Sequence, residues 1–268
     1  MIEPVVDAEW VRTHHDRVIL ADVRAYLDGR KGRDTYVAGH LPEAVFVDLD
    51  EDLAAAPTAA DGRHPLPDPV RFAERMSALG VGDDATVIAY DDAGGVMAAR
   101  LVWMLRALGR PAALLDGGLD AYGEERETGA PQRAPAVFTA RPWPAERLAG
   151  LTDATSGGSV VLDARQPERF RGESEPIDPR AGHIPGARNV PCRGNVDATG
   201  RFLPAELLCE RFEAAGVTDG ADVVSYCGSG VTACHNLLAL ERAGFAPGRL
   251  YPGSWSQYSA TDLPAATS

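Results

Sequence analysis

The feature that most constrains the fold is an internal repeat. The stretch "VILADVRAYLDGRKGRDTYVAGHLPEAV", beginning at Val18, is echoed by "VVLDARQPERFRGESEPIDPRAGHIPGAR", beginning at Val160. In both, an apolar run ends in aspartate, a variable excursion follows, and Gly-His-apolar-Pro closes the pattern. Farther along, "TVIAYDDAGGV" matches "DVVSYCGSGV", and "LLDGGLDAY" matches "LYPGSWSQY". We therefore predict two similar domains, 1–130 and 151–268, joined by a Pro- and Ala-rich linker at 131–150.

Within each half, short apolar runs alternate with helix-like spacing. In the second half, strands are predicted at Val160–Asp163, Ala187–Val190, Val223–Tyr226 and Arg249–Tyr251, and helices at Ala205–Ala215 and Val231–Ala243. Such alternation favours a mainly parallel sheet flanked by helices. The predicted fold class is therefore α/β, with two tandem domains of this kind.

The stretch "YCGSGVTACH" places a thiol at the carboxyl end of a predicted strand, where open α/β sheets bind their ligands. Gly228 and Gly230 can adopt backbone angles closed to other residues, so successive amides can curl toward one point and form an anion site. The positive end of the following helix adds to it. These surroundings favour a thiolate nucleophile at Cys227. The matching loop of the first half has Asp91 and no thiol, so we predict that the N-terminal domain is non-catalytic.

The net charge of the chain limits the classes of macromolecule and surface that it can bind. With 39 acidic and 26 basic residues, the chain has a formal net charge of −13, which repels nucleic acid and anionic membranes at long range. No apolar run approaches the roughly 20 residues of a membrane span, and the start "MIEPVVDAEW" lacks the basic flank and apolar core of a signal peptide. We expect neither nucleic acid nor a membrane as partner, and a cytoplasmic location.

The four cysteines form no CxxC pair or zinc-ribbon pattern, so no metal site is expected. Besides a nucleophile for sulfur, Cys227 has two other interpretations. It can be a buried structural thiol, although a glycine-flanked loop is a poor place for a core side chain. It can also be the nucleophile of a cysteine phosphatase, but that class uses Cys-x5-Arg, and position 233 is alanine.

Three motifs carry a resemblance to a known family: "GHIPGA" at 182–187, "CGSGVT" at 227–232 and "GSW" at 253–255. With the tandem repeat, they resemble the two-domain rhodanese sulfurtransferases over nearly the whole chain. The Gly-Ser-Gly loop is similar to that of the 3-mercaptopyruvate sulfurtransferase branch, whereas the thiosulfate branch carries basic side chains there. A thiosulfate sulfurtransferase is the alternative enzyme. A rhodanese-like regulatory or binding module, in which the loop has usually lost its cysteine, is the alternative from another class.

The resemblance implies a tandem rhodanese fold and a persulfide mechanism. A small-molecule donor, 3-mercaptopyruvate, loses its sulfur to Cys227, which then passes the outer sulfur of its persulfide to a thiol or to cyanide. The acceptor thiol would belong to a small molecule or to a thioredoxin-like protein. The loop residues Gly228, Gly230, Val231 and Thr232 are implied to bind the substrate, and no cofactor is implied.

Donor recognition calls for basic residues outside the loop. "PERFRGESEPIDPRAGH" offers Arg169, Arg171 and Arg180, and an arginine fork suits a carboxylate with an adjacent ketone. In the family, Arg169 of the Arg-Phe-Arg-Gly pattern matches a substrate-binding arginine. Arg180 follows Glu-Pro as the family's second arginine does, although its spacing to Gly182 differs. Arg171 is expected to be a solvated surface residue.

The first half offers Asp50 in "FVDLDEDL" and His64 in "GRHPLP". By resemblance, these positions form with the loop serine, Ser229, an Asp-His-Ser relay. Departure of pyruvate leaves an enolate that needs a proton, and a serine hydroxyl backed by imidazole and carboxylate could polarise the ketone or transfer that proton. His40 and His183 occur in both halves, although only one half has the thiol, so we assign them to loop structure.

Overall fold

The computed structural model describes residues 2–123 and 125–267, and it divides into two compact units. The first unit comprises the chain up to Ala55 together with Pro67–Trp143 and Ala198–Phe202. The second comprises Ala56–Leu66, Pro144–Asp197 and the chain from Leu203 onward. Each unit is built mainly from one half of the repeat, but the short segment Ala56–Leu66 of the first half belongs to the second unit.

The first unit contains a five-stranded parallel sheet. Its strands are β1 (Val5–Val6), β2 (Val18–Asp22), β3 (Val45–Phe46), β4 (Thr86–Tyr90) and β5 (Ala112–Leu115), in the order β1-β5-β4-β2-β3. Its helices are α1 (Ala8–Thr13), α2 (Gly32–Ala38), α3 (Pro69–Ala78), α4 (Ala99–Ala107) and α5 (Gly118–Ala121). The longest strands, β2 and β4, are buried almost throughout, as expected for a parallel sheet that is covered by helices.

The second unit contains a four-stranded parallel sheet. Its strands are β6 (Val160–Asp163), β7 (Arg188–Asn189), β8 (Val223–Tyr226) and β9 (Arg249–Leu250), in the order β7-β6-β8-β9. Its helices are α6 (Leu151–Thr155), α7 (Pro167–Phe170), α8 (Ala205–Ala214), α9 (Ala233–Arg242) and α10 (Ser254–Tyr258). The predicted α/β class with parallel sheets and flanking helices is confirmed.

The predicted elements of this unit agree closely with the observed ones. Strands β6 and β8 have the predicted bounds, whereas β7 and β9 are shorter at their ends. Helix α9 begins at Ala233 rather than at Val231, because the residues after Gly230 are still part of the turn that leaves β8. Among residues 2–123 and 125–267, no helix is long and apolar enough to cross a membrane.

The segment 131–150, predicted as a linker, packs along the units. In the first unit, the Phe138 ring meets Phe72 edge-on, and the Trp143 indole donates to the Pro67 carbonyl at 2.8 Å. In the second unit, the Ala149 amide donates to the Leu250 carbonyl at 2.8 Å. Phe138, Trp143 and Ala149 of this segment therefore have structural partners.

A buried Asp-x-Arg pair follows the first long strand of each unit. In the first unit, the Arg24 guanidinium binds the Asp22 carboxylate at 2.7–3.0 Å and the Gly39 carbonyl at 2.7 Å. In the second, Arg165 binds Asp163 and the Gly182 carbonyl in the same way. Each arginine thus ties the end of a strand to the point where the variable excursion returns. The paired aspartates of the repeat are therefore structural.

We expect Asp22→Ala to destabilise the first unit by about 3–5 kcal/mol, because the Arg24 charge would stay buried without its carboxylate. Asp28→Ala is the matched control, since Asp28 and Arg30 form the same Asp-x-Arg contact on the surface, where both side chains are more than half exposed. That variant should change stability little. Urea unfolding followed by circular dichroism measures both. Equal losses in the two variants would contradict a structural role for the buried pair.

Candidate active site

The candidate nucleophile lies where the sequence places it. Cys227 directly follows β8 and is only 2% exposed. Gly230 adopts a left-handed conformation with φ of +77°, and a Cβ there would lie 2.6 Å from the Pro252 carbonyl oxygen. Only glycine fits this position without strain.

The loop is held by the start of α10. The Cys227 amide donates to the Ser254 hydroxyl at 3.1 Å, and the Trp255 amide donates to the Cys227 carbonyl at 2.9 Å. The Ser256 amide donates to the Gly228 carbonyl at 2.8 Å. The backbone on both sides of the thiol is therefore fixed by hydrogen bonds to one short helix.

Ser254 is a residue that sequence reasoning missed. It is fully buried and has φ of +52°, a left-handed conformation that costs a non-glycine residue about 1–3 kcal/mol. Its hydroxyl accepts from Cys227 and donates to the Tyr251 carbonyl at 2.9 Å. The "GSW" motif contains this serine, but no pattern in the sequence shows that its hydroxyl supports the loop.

The matching loop of the first unit binds a carboxylate of its own. The Asp91 carboxylate accepts hydrogen bonds from the amides of Ala93 and Gly95 through one oxygen, and from those of Met97 and Ala98 through the other, at 2.8–3.0 Å. Asp91 is itself buried. The loop after β4 thus forms an amide-lined anion site, and a similar site in the loop after β8 stays a prediction. In the first unit, the chain's own carboxylate fills it.

The structure brings together two members of the predicted relay. A ring nitrogen of His64, Nδ1, lies 2.7 Å from the Ser229 hydroxyl. His64 belongs to the segment Ala56–Leu66, which is part of the same unit as the loop. Asp50 belongs to the first unit, where it is exposed and its amide donates to the Asp48 carboxylate at 2.9 Å.

The two predicted donor-binding arginines have different environments. One terminal nitrogen of Arg169, Nη1, lies 3.4 Å from the position of a Cβ on Gly228, the residue that follows Cys227. The three nitrogens of Arg180 instead donate at 2.9–3.1 Å to the backbone carbonyls of Ser259, Leu263 and Tyr258. The structure therefore gives Arg180 a role in holding the C-terminal segment. Arg171 pairs with Glu173 on the surface, as expected.

A second guanidinium, which sequence reasoning missed, lies over the loop. Nη2 of Arg63 lies 2.9 Å from the same Cβ position on Gly228. Its other terminal nitrogen, Nη1, donates to the Asp178 carboxylate. The only signal in the sequence is that Arg63 directly precedes the predicted relay residue His64.

Two other buried thiols, those of Cys192 and Cys234, have polar contacts with residues of the loop. Burial raises the pKa of Cys192 to about 12, with a contribution from Cys227, and a hydrogen bond with Thr232 only partly opposes it. Cys192 therefore stays a neutral thiol at physiological pH. The Cys234 thiol donates to the Gly230 carbonyl at 3.3 Å within the first turn of α9. Both side chains pack beneath the loop as structural groups.

Comparison with known proteins agrees with this geometry. The Rhodanese-like domain model matches residues 7–125 and 146–261. The chain belongs to the rhodanese-like family. A probable 3-mercaptopyruvate sulfurtransferase of Pseudomonas aeruginosa is 45% identical to this rhodanese-like chain over 252 residues, which is 90% of the chain and 89% of that protein. A putative thiosulfate sulfurtransferase of Mycobacterium tuberculosis is 41% identical over 91% of the chain and 89% of that protein.

A solved structure extends the match to three dimensions. The crystal structure of the 3-mercaptopyruvate sulfurtransferase of Escherichia coli superimposes with a TM-score of 0.83 at 33% identity, covering 95% of this chain and 99% of that one. The tandem rhodanese fold that the resemblance implied is therefore confirmed for both halves.

We expect Asp91→Ala to lower the stability of this rhodanese-like protein while leaving turnover per folded molecule unchanged. Loss of the carboxylate would leave buried amides without an acceptor, which costs about 1–3 kcal/mol for each group that water does not reach. The neighbouring Asp92→Ala is the control, since Asp92 is exposed and bonds only the Tyr26 hydroxyl among the contacts described here. Thermal unfolding and sulfur-transfer rates measure the two effects. Lost turnover in a folded Asp91 variant would show that the first unit has a catalytic role.

Proposed function

We propose that this chain is a sulfurtransferase that moves a sulfane sulfur from 3-mercaptopyruvate through a Cys227 persulfide to a thiol or to cyanide. The observation that carries the proposal is the set of groups around one loop. Cys227 begins the loop, the Ser229–His64 pair lies on it, and the Arg169 guanidinium lies beside Gly228. The activities named for the relatives agree with it.

In the first half-reaction, the Cys227 thiolate attacks the sulfur of the donor. A sulfur–sulfur bond forms, the carbon–sulfur bond breaks, and its electron pair leaves with the enolate of pyruvate. The persulfide keeps one negative charge, because the proton of the donor thiol is lost and becomes the proton that converts the enolate to pyruvate. Loop amides like those that bind the Asp91 carboxylate are the groups that would stabilise this charge. The chemistry requires no cofactor.

The enolate takes up a proton to become pyruvate. The Ser229 hydroxyl, at 2.7 Å from a ring nitrogen of His64, can donate to the ketone oxygen while the imidazole resupplies the proton. Asp50 is the proposed third member, which would set the tautomer of His64. This pair gives the loop a proton path that a donor without a ketone does not need.

In the second half-reaction, an acceptor thiolate or cyanide attacks the outer sulfur and regenerates Cys227. A small thiol or a thioredoxin-like protein would serve as the acceptor. A cytoplasmic location belongs to the same proposal, because a reducing compartment keeps Cys227 available as a thiol.

Thiosulfate is the second candidate donor, and the name of the Mycobacterium tuberculosis relative favours it. Thiosulfate is a dianion and releases sulfite, so a loop suited to it should carry basic side chains of its own beside the thiolate. Positions 228–230 are Gly-Ser-Gly, and the two guanidinium groups near Gly228, those of Arg63 and Arg169, are already paired with carboxylates. A regulatory or binding module is the candidate from another class, but it would not need a cysteine at the head of this loop.

We expect Cys227→Ser to abolish sulfur transfer, whereas Cys234→Ser should retain most of it, because the Cys234 thiol is already bonded to the Gly230 carbonyl. Mass spectrometry after incubation with each donor should show a gain of one sulfur atom on the Cys227 peptide of the wild type. Similar losses in both variants would indicate a redox pair instead of a single nucleophile. A regulatory module would gain no sulfur from either donor.

We expect the wild type to use 3-mercaptopyruvate at least about tenfold better than thiosulfate in kcat/KM, since one charge contact is worth about 1.5–3 kcal/mol and a factor of ten is about 1.4 kcal/mol. Ser229→Ala and His64→Ala should lower the 3-mercaptopyruvate rate more than the thiosulfate rate, because only the first reaction forms an enolate. Steady-state kinetics with both donors decides this. Equal or better use of thiosulfate by the wild type would exclude the 3-mercaptopyruvate preference but not sulfur transfer.

A further inference from the structure

Two guanidinium groups, from different segments of the second unit, meet at the residue after the nucleophile. Arg63 lies in the segment Ala56–Leu66, and Arg169 lies in α7. A Cβ on Gly228 would be 2.9 Å from Nη2 of Arg63 and 3.4 Å from Nη1 of Arg169. Glycine at position 228 leaves room for both.

Two carboxylates, those of Glu175 and Asp178, form an acidic pair that binds the two guanidinium groups on the side away from Gly228. The Asp178 carboxylate accepts from Arg63 through one oxygen and from Arg169 through the other, at 3.2 Å for Arg169. Glu175 accepts from Arg169 at 2.5 Å and 3.2 Å. Both carboxylates are only 3% exposed, whereas the side chains of Arg63 and Arg169 remain 29% and 18% exposed. The acids therefore lie behind the arginines, whose remaining nitrogens lie beside the loop.

The segment that carries Arg63 is itself anchored to the loop's support. The Arg63 amide donates to the Ser256 hydroxyl at 3.0 Å, and the Gln257 side chain donates to the Ala60 carbonyl. Gly62 has φ of +87°, and a Cβ there would lie 2.6 Å from the Gly253 carbonyl oxygen. The close approach of this segment to α10 fixes the position of the Arg63 backbone.

The small size of the donor limits which arginines can bind its carboxylate. In 3-mercaptopyruvate, only the methylene and the ketone carbon separate the sulfur from the carboxylate. A group that binds the carboxylate while Cys227 attacks the sulfur must therefore lie next to the thiol. The guanidinium groups of Arg63 and Arg169 lie at Gly228, the residue that follows the nucleophile, whereas the Arg180 nitrogens donate to backbone carbonyls.

We propose that Arg63 is a second donor-binding residue, which together with Arg169 clamps the carboxylate of the donor, and that Asp178 is the positioning residue that holds both guanidinium groups. This inference rests on the proposed sulfurtransferase function and specifies its donor class as short keto acids with one carboxylate. Two arginines provide a fork of charge-assisted hydrogen bonds that suits one planar carboxylate.

The acidic pair also sets the charge of the clamp. With Glu175 and Asp178 ionised, the two carboxylates balance the two guanidinium groups. Burial works to raise the pKa of Glu175, but hydrogen bonds from Arg169 and from the Asp178 amide outweigh it, so the pKa lies below its usual value. Burial raises the pKa of Asp178, although Arg63 opposes the shift. A balanced clamp favours a monoanion over the dianion thiosulfate.

The first test is Arg63→Ala in the full chain. The KM for 3-mercaptopyruvate should rise about tenfold or more through the loss of a charge-assisted contact, while kcat falls less. Arg63→Lys should restore part of the affinity. Arg171→Ala is the matched control, because Arg171 forms an exposed pair with Glu173, and it should leave KM unchanged.

A binding measurement separates recognition from chemistry. In the Cys227→Ser background, isothermal calorimetry with pyruvate as the probe should show weaker binding when Arg63 is alanine. If Arg63→Ala fails to fold, as judged by circular dichroism, Arg63→Gln takes its place in both measurements. Unchanged KM and unchanged pyruvate binding in a folded variant would overturn the inference.

The role of Asp178 has its own measurement. Asp178→Asn keeps the shape of the side chain but leaves the clamp with a net positive charge, so the ratio of kcat/KM for thiosulfate to that for 3-mercaptopyruvate should rise several-fold. An unchanged ratio would overturn the positioning and charge-balancing role. Failure of the proposed function is distinguishable, because the wild type would then gain no sulfur on Cys227 from either donor.

Discussion

The structure of the second unit depends on the buried pair between Asp163 and Arg165. Arg165 binds the carboxylate at the end of β6 and the Gly182 carbonyl, and its remaining terminal nitrogen donates to Glu175 at 3.2 Å. Glu175 in turn binds Arg169 and accepts from the Ile177 and Asp178 amides. A series of ion pairs therefore connects the end of β6 with Arg169, a proposed donor-binding residue. The first unit uses the same pair only to close its own excursion on Gly39.

Much of this could be predicted from the sequence, because its signals are local or repeated. The apolar runs of β6 and β8 and the helical spacing of α8 predicted their bounds closely. Comparing the two halves matched Cys227 with Asp91, and the glycines of the loop predicted an anion site there. Even the contact between His64 and Ser229, which are far apart in sequence, could be anticipated from the family resemblance.

The remainder could not be predicted, since it depends on where side chains go after the backbone has folded. The excursion between α7 and β7 has no regular period, so its sequence does not show that Glu175 and Asp178 face the arginines. Arg180 matched a family pattern, yet its guanidinium meets carbonyls of the C-terminal segment. The roles of Arg63 and Ser254 likewise arise from the approach of α10 to the loop, which no periodicity encodes.

The Asp91 carboxylate has a consequence for how the two units respond to their surroundings. In the first unit, the anion is part of the chain, so its loop is filled in every molecule. In the second unit, under the proposed mechanism, the negative charge arrives with the transferred sulfur, and a group that binds only the native state stabilises that state. Each catalytic cycle would therefore raise and then lower the stability of the second unit only. Two units of the same fold would then differ in resistance to heat according to the sulfur supply.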